Sequence, residues 1–258
     1  MPKQQYDDVR FAELYERKLS SFARQVGPVL FTVAAARSDL PEKPQILDAC
    51  CGTGEFADWL SSNGNPVTAF DISDAMLDVA KRKLRSKIDS GAVQLFSADV
   101  VHLELRREFD LIFATYNSLN HLADELTLAQ AFASLFKHCA PGGVLAYDFN
   151  TRIGLEQWNN VILSEDADSS CFIRGVFDKS NRQAHTKITG FLRRGDGSFD
   201  RCEGVFHNLA LPCSRLLELM TEAGWSRVQF HSLSQPMQTV EDPEREPVVL
   251  VSAIRARS

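Results

Sequence analysis

Asp48, Gly52, Gly54 and Asp71 are the residues of this chain whose types and spacing could do chemistry. They lie in and after the run Ile46-Leu47-Asp48-Ala49-Cys50-Cys51-Gly52-Thr53-Gly54-Glu55-Phe56, where a buried-strand pattern breaks into a glycine turn and then a helix. Asp71 closes a second strand seventeen residues beyond Gly54. A glycine pair lets the backbone turn sharply and approach a ligand, and an acidic residue at the next strand end can chelate ribose hydroxyls. Together they describe a nucleoside-binding pocket. Gly52-Thr53-Gly54-Glu55-Phe56-Ala57 also satisfies the G-x-G-x-x-G/A form of a dinucleotide site. Asp48 tips the balance, because a carboxylate four residues before Gly52 repels a pyrophosphate and attracts a cationic or zwitterionic ligand.

The pattern D-x-x-x-G-x-G with an acidic strand end resembles motif I of the class I S-adenosylmethionine-dependent methyltransferases. The resemblance extends over most of the chain. Phe70-Asp71-Ile72-Ser73-Asp74-Ala75-Met76-Leu77 is similar to the family's second-strand ending, and Ser97-Ala98-Asp99-Val100 to its adenine-facing segment. Phe109-Asp110-Leu111-Ile112-Phe113-Ala114 resembles the fourth strand, and Ala140-Pro141-Gly142-Gly143-Val144-Leu145 the turn into the fifth. Ala223-Gly224-Trp225, then Val228 and Phe230, then Val248 to Ile254, resemble the final helix and antiparallel strand pair that ordinary dinucleotide folds lack.

The resemblance implies S-adenosyl-L-methionine as cofactor. It sets Gly52 and Gly54 against the methionine and ribose portions, Asp48 toward the amino group and Asp71 on the ribose hydroxyls. Asp99 would accept from the adenine amino group, with the Val100 amide near a ring nitrogen and Ile72 and Met76 sandwiching the ring. Cys50 and Thr115 complete the expected cofactor set. The implied chemistry is an in-line displacement at the methyl carbon of a sulfonium, for which the protein aligns the acceptor, excludes water and, for some acceptors, removes a proton.

On the acceptor side, Thr115-Tyr116-Asn117-Ser118-Leu119-Asn120-His121-Leu122 follows the fourth strand. It lacks the N-P-P-Y type motif of adenine-N6 and glutamine methyltransferases. It resembles the S-x-x-H-L segment of the amino-sugar N,N-dimethyltransferases, with Ser118 and His121 on the matching positions. An imidazole that titrates near neutrality can orient an amine or hydroxyl and accept its proton. The catalytic candidates are therefore His121, Asn117, Tyr6 and Tyr15, with His207 a further possible lining residue. The expected reaction is methyl transfer to N or O of a small-molecule acceptor. The alternative is a regulatory or partner protein that binds the cofactor without turnover.

These residues need elements to position them. Phe11, Leu14, Tyr15, Leu19, Phe22 and Val26 recur at helical spacing and predict one amphipathic N-terminal helix, a cap over residues 1–44. Ser73 is placed to N-cap a helix carrying Leu77, Ala80, Leu84 and Ile88, and Leu128, Phe132, Leu135, Phe136 and Cys139 mark another. Strands alternate with helices over residues 45–156 and 209–258, which predicts an α/β, doubly wound seven-stranded sheet of order 3-2-1-4-5-7-6 with the last strand antiparallel. Residues 157–208 read as an antiparallel β insertion on the acceptor side. Its strands are 171–177, 184–192 and 199–207, and its turns lie at Asp178-Lys179-Ser180-Asn181 and Arg194-Gly195-Asp196-Gly197-Ser198.

Composition bounds the partners. A chain of 258 residues with 44% hydrophobic and 24% charged residues suits one globular core with an elaboration. A formal charge of −6 and no basic run interleaved with aromatics speak against a nucleic-acid substrate. The polar N-terminus and the short apolar stretch Val29 to Ala36 predict no membrane partner, so a cytoplasmic enzyme is expected, with a homodimer as its candidate assembly. The six cysteines form no C-x-x-C pair and no histidine stands at zinc-like spacing, so reduced thiols and no metal are expected.

Overall fold

The computed structural model describes residues 6–180 and 183–257; the first residues of the polar N-terminus and the Asn181 end of one predicted turn lie outside the described residues. Asp8 opens α1 (Val9–Lys18), its carboxylate accepting from the amides of Arg10 and Phe11 at 2.8 and 3.3 Å. α2 (Ser21–Ala35) follows after a break at Leu19 and Ser20. The predicted single helix is thus two. The amides of Leu19 and Ser20 both donate to the Tyr15 carbonyl, and the Ser20 hydroxyl donates to the Glu16 carbonyl at 2.7 Å, which closes the first helix.

The main sheet is then laid down by alternation: β1 (Ile46–Ala49), α3 (Glu55–Ser62), β2 (Val67–Asp71), α4 (Asp74–Lys83), α5 (Arg85–Asp89), β3 (Val93–Ser97), β4 (Phe109–Ala114), α6 (Glu125–His138) and β5 (Cys139–Asn150). Ser73 N-caps α4, its hydroxyl accepting from the Met76 amide at 3.1 Å. The helix expected to run through Ile88 stops at Leu84, whose carbonyl takes the amides of both Lys87 and Ile88. Cys139, expected on a helix, instead starts β5 opposite Phe109. The register then shifts over Ala140 to Gly143, where Gly142 sits at φ +85°. The predicted turn survives there as a bulge in the strand.

α7 (Arg152–Glu156) leads into a separate four-stranded antiparallel sheet, β6 (Val161–Glu165), β7 (Ser169–Asp178), β8 (Gln183–Arg193) and β9 (Phe199–Asn208), paired in that order. The chain then returns through α8 (Cys213–Glu222), β10 (Ser226–Ser232) and β11 (Val248–Ile254). The main sheet has the order β10-β11-β5-β4-β1-β2-β3, with β11 antiparallel to both neighbours and the other pairs parallel. With the insertion strands set aside this is the order expected from sequence.

Apolar side chains cover both faces of this sheet, Phe132, Tyr147 and Trp225 on one and Leu30, Phe56 and Phe113 on the other. Gly27 of α2 admits the Phe56 ring, since a Cβ there would stand 2.2 Å from Phe56 Cδ2. A third cluster joins α1, α4 and the insertion through Phe11, Leu14, Met76, Ile188 and Phe206. Leu14 fills the notch left by Gly190, where a Cβ would lie 2.2 Å from Leu14 Cδ2. Phe11 and Leu14 are fully buried, and each such burial stabilises by about 1.5–3 kcal/mol. Among the described residues no helix is long and apolar enough to cross a membrane.

Candidate active site

A cavity of about 400 Å³ opens at the carboxyl ends of β1, β2, β4 and β5, between the main sheet and a roof made of α1 and the insertion. Its floor is the turn after β1. Cys50 and Gly52 line it with left-handed backbones at φ 57° and 54°. The nearest atoms to a Cβ at Gly52 would be those of the Tyr15 ring and hydroxyl, from 3.7 Å, so the turn faces the cavity under that tyrosine. Gly54 has a different use. Its absent side chain makes room for Leu84, whose Cδ1 would stand 2.8 Å from a Cβ, and Gly54 does not line the cavity.

Asp71, Ile72, Met76 and Thr115 also line the cavity. The Asp71 carboxylate accepts from the Gly52 amide at 2.8 Å and the Ser73 amide at 2.9 Å, which ties the two strand ends together. Burial pushes its pKa up and these amides pull it back, with burial the larger effect. Asp48 lies fully buried in β1, and neither of its oxygens has a hydrogen-bond partner. Burial first, and then the charge of Asp71, push it up to about 8. Such an orphaned carboxylate costs free energy unless a cationic group approaches.

Asp99 and Val100 stand apart from the lining. Asp99 caps a single 3-10 turn, Val100–His102, accepting from the Val101 amide at 3.0 Å, while the Val100 side chain is buried in the core cluster. An adenine amino group would have to share the Asp99 carboxylate with that cap.

The other end of the cavity is built on the loop after β4. Tyr116 and Asn117 both hold left-handed backbones, at φ 63° and 53°, conformations rare for non-glycine residues. Asp148 of β5 stabilises them. Its fully buried carboxylate accepts from the Tyr116 amide at 2.7 Å and the Asn117 amide at 2.9 Å. Burial pushes Asp148 up to about 7, against the opposing pull of those donors. The clamp delivers the 3-10 turn Ser118–His121 to the cavity wall.

His121 lines the cavity with its Nδ1 2.9 Å from the His207 carbonyl oxygen, so Nδ1 carries the hydrogen and Nε2 is left as the basic nitrogen. Burial holds its pKa below the ordinary imidazole value. The Tyr6 ring lies 6.1 Å from His121 edge to face, and 4.6 Å from Phe206. Asn117 Oδ1, Ser118 Oγ, Asn150 Nδ2 and Asn208 Oδ1 are all buried at this wall without partners.

Of the residues singled out in the sequence, Cys50, Gly52, Asp71, Ile72, Met76, Thr115, His121, Asn117, Tyr6 and Tyr15 come together around one cavity, whereas Asp48, Gly54, Asp99 and Val100 lie behind or beside it. His207 takes the structural role usual for a strand histidine: its carbonyl holds His121, while its ring packs against His185 at 5.5 Å and stays out of the cavity lining. The period-two alternation of β9 places its neighbours Phe206 and Asn208 in the cavity instead. Trp158, Ile162, Ile173 and Ile188 complete the roof. Sequence reading singled none of them out, though the alternation in β7 and β8 carried the signal for the last two.

Residues 46–143 match the family described as a methyltransferase domain. A Geobacillus sp. (strain WCH70) protein, whose methyltransferase designation is provisional, is 26% identical over 188 residues, 72% of this chain and 75% of that protein. The dTDP-3-amino-3,4,6-trideoxy-alpha-D-glucopyranose N,N-dimethyltransferase of Streptomyces venezuelae is 28% identical over 112 residues, 43% of this chain and 45% of that enzyme. In fold, the chain is similar to an S-adenosylmethionine-dependent methyltransferase from Clostridium acetobutylicum ATCC 824, with a TM-score of 0.80 at 20% identity over 96% of this chain and 98% of that one. Residues 46–143 thus carry a methyltransferase domain, and the strand order of the sheet, with the glycine turn at its carboxyl edge, gives the chain the fold of the S-adenosylmethionine-dependent methyltransferases.

Proposed function

We propose that this enzyme transfers the methyl group to a nitrogen or oxygen of a small-molecule acceptor, with His121 as the group that receives or orients the acceptor's proton. The observation that carries the reading is the placement of His121. Its Nδ1 is fixed on the His207 carbonyl and its ring lines the same cavity as Gly52 and Asp71. The S. venezuelae relative, named for methylation of an amino sugar, supports an N acceptor as one member of the class.

The chain's own groups fit the cofactor. The unpartnered Asp48 oxygens behind the glycine turn and the cavity that Gly52 lines beneath Tyr15 suit a molecule that brings a cation to that turn. When bound, the sulfonium supplies an electrophilic methyl carbon and a leaving group that departs neutral. Asp71 would accept from the ribose hydroxyls, Ile72 and Met76 would hold the adenine faces, and Asp48 would draw the amino group. Tyr15, over the glycine turn, would exclude water from this end. His121, Asn117 and Tyr6 would align the acceptor at the other.

Calorimetry tests the reading. S-adenosylmethionine and its demethylated product should bind and NADH should not, and Asp71→Ala should weaken cofactor binding by roughly 1–3 kcal/mol, the scale for losing hydrogen bonds to a charged acceptor. Labelled cofactor incubated with a metabolite pool should then mark a small molecule. Binding with no transfer to any component would favour a cofactor-binding regulator instead.

The cofactor affinity should also depend on pH with a definite sign. Asp48, at about 8, is largely protonated at neutral pH in the free protein, and an approaching cation favours its ionised form. Binding therefore releases a proton, and affinity rises with pH up to about 8, above which the free carboxyl is itself ionised. Titrations in buffers of different ionisation enthalpy read the proton directly. Asp48→Asn should flatten the slope; an unchanged slope would assign the proton to another group.

A further inference from the structure

Resting on the reading of the cavity as an acceptor site, we propose that the acceptor is an uncharged, largely apolar, ring-bearing molecule, and that phosphorylated or nucleotide-linked acceptors are excluded. The lining decides this. Among the described residues around the cavity the one side chain with a formal charge at neutral pH is Asp71, an anion at the cofactor end. Among the described residues no lysine or arginine reaches the wall.

The nearby cations are committed elsewhere. Lys18, whose side chain is nearly buried, pairs with Asp166 at 2.5 Å. Lys187 pairs with Glu203 at 3.8 Å. Arg174 and Lys187 sit opposite each other in the β7–β8 ladder, one residue beyond the pair Ile173 and Ile188, so strand alternation turns them to the outer face while the isoleucines face the cavity. A phosphate entering here would lose its water and find no guanidinium or ammonium in exchange.

What the wall does offer suits a neutral molecule. Ile162, Ile173 and Ile188 are cross-strand partners and form an apolar row from the edge strand β6 inward, ending with Ile162 52% exposed. Tyr6 and Phe206 each stand edge-to-face with His121 at 6.1 Å, and Phe11 packs against both. The polar groups without partners are all uncharged: the amide oxygens of Asn117 and Asn208, the amide nitrogen of Asn150 and the Ser118 hydroxyl. They can hydrogen-bond a hydroxyl, carbonyl or neutral amine.

The test uses a matched pair, 2-naphthol and 2-naphthyl phosphate, titrated into the full chain with and without the demethylated cofactor product. The neutral member should bind at least about 100-fold more tightly than its phosphate ester. Equal or tighter binding of the ester, or no binding of naphthol, overturns the proposal. Ile162→Arg alters a half-exposed edge position and should narrow the gap by strengthening ester binding; an unchanged gap would mean that the discrimination arises outside this cavity and would overturn the assignment. Failure of the cofactor product to bind would strike the methyl-transfer reading, while the naphthol pair without it would still decide the acceptor class.

Discussion

His121→Ala should lower turnover by about 10²–10⁴-fold if the imidazole takes the acceptor's proton, with cofactor affinity nearly intact. The geometry carries the expectation: Nδ1 is occupied by the His207 carbonyl at 2.9 Å, so Nε2 is the nitrogen with a free lone pair. Burial lowers the pKa, which keeps the base unprotonated at neutral pH. The sign of the pH profile follows. Turnover is full above the depressed pKa and is lost as pH falls through it, so the acid limb lies below that of an exposed imidazole. That limb should vanish in the variant. A limb that persists, with a smaller loss of rate, would mean that His121 only orients an acceptor already neutral. Full turnover in the variant would move the search to Tyr6, Tyr15 and Asn117.

Asp148→Ala should cost roughly 2–6 kcal/mol of folding stability, because one buried and one part-buried amide donor lose their acceptor and each such loss is worth about 1–3 kcal/mol. The Tyr116 and Asn117 amides depend on that carboxylate at 2.7 and 2.9 Å, and their left-handed backbones persist only while it holds them. Turnover should fall further than stability alone explains, since Asn117, Ser118 and His121 all hang from this loop. Asp148→Asn keeps one oxygen acceptor and should lose less. Chemical denaturation with parallel rate measurements separates the two effects. A stability change within about 0.5 kcal/mol, the range for uninvolved surface sites, would show that the loop holds itself.

The cofactor end was legible in sequence because its chemistry is written in consecutive residues: a glycine turn fixes its own backbone, and Asp71 ends the strand that follows. The acceptor end was legible only in part. Ser118 to His121 could be located, but the Asp148 clamp arises from the pairing of β4 with β5, which no local pattern states. β6 escaped notice because Val161, Ile162 and Leu163 are all exposed, so the strand lacks the alternation that marks a half-buried one. The break between α1 and α2 was hidden for the opposite reason. The apolar period continues across it, yet α1 packs on the insertion and α2 on the sheet, two surfaces served by one unbroken pattern.

The roof row of Ile162, Ile173 and Ile188 belongs to a sheet that shares no strand with the seven-stranded floor. Side chains there can be exchanged without disturbing the register that fixes Gly52, Asp71 and Asp148. Inheritance can therefore act on the two halves separately, with descendants of such a gene changing clientele through substitutions in the hairpins while the machinery beneath is passed on unaltered.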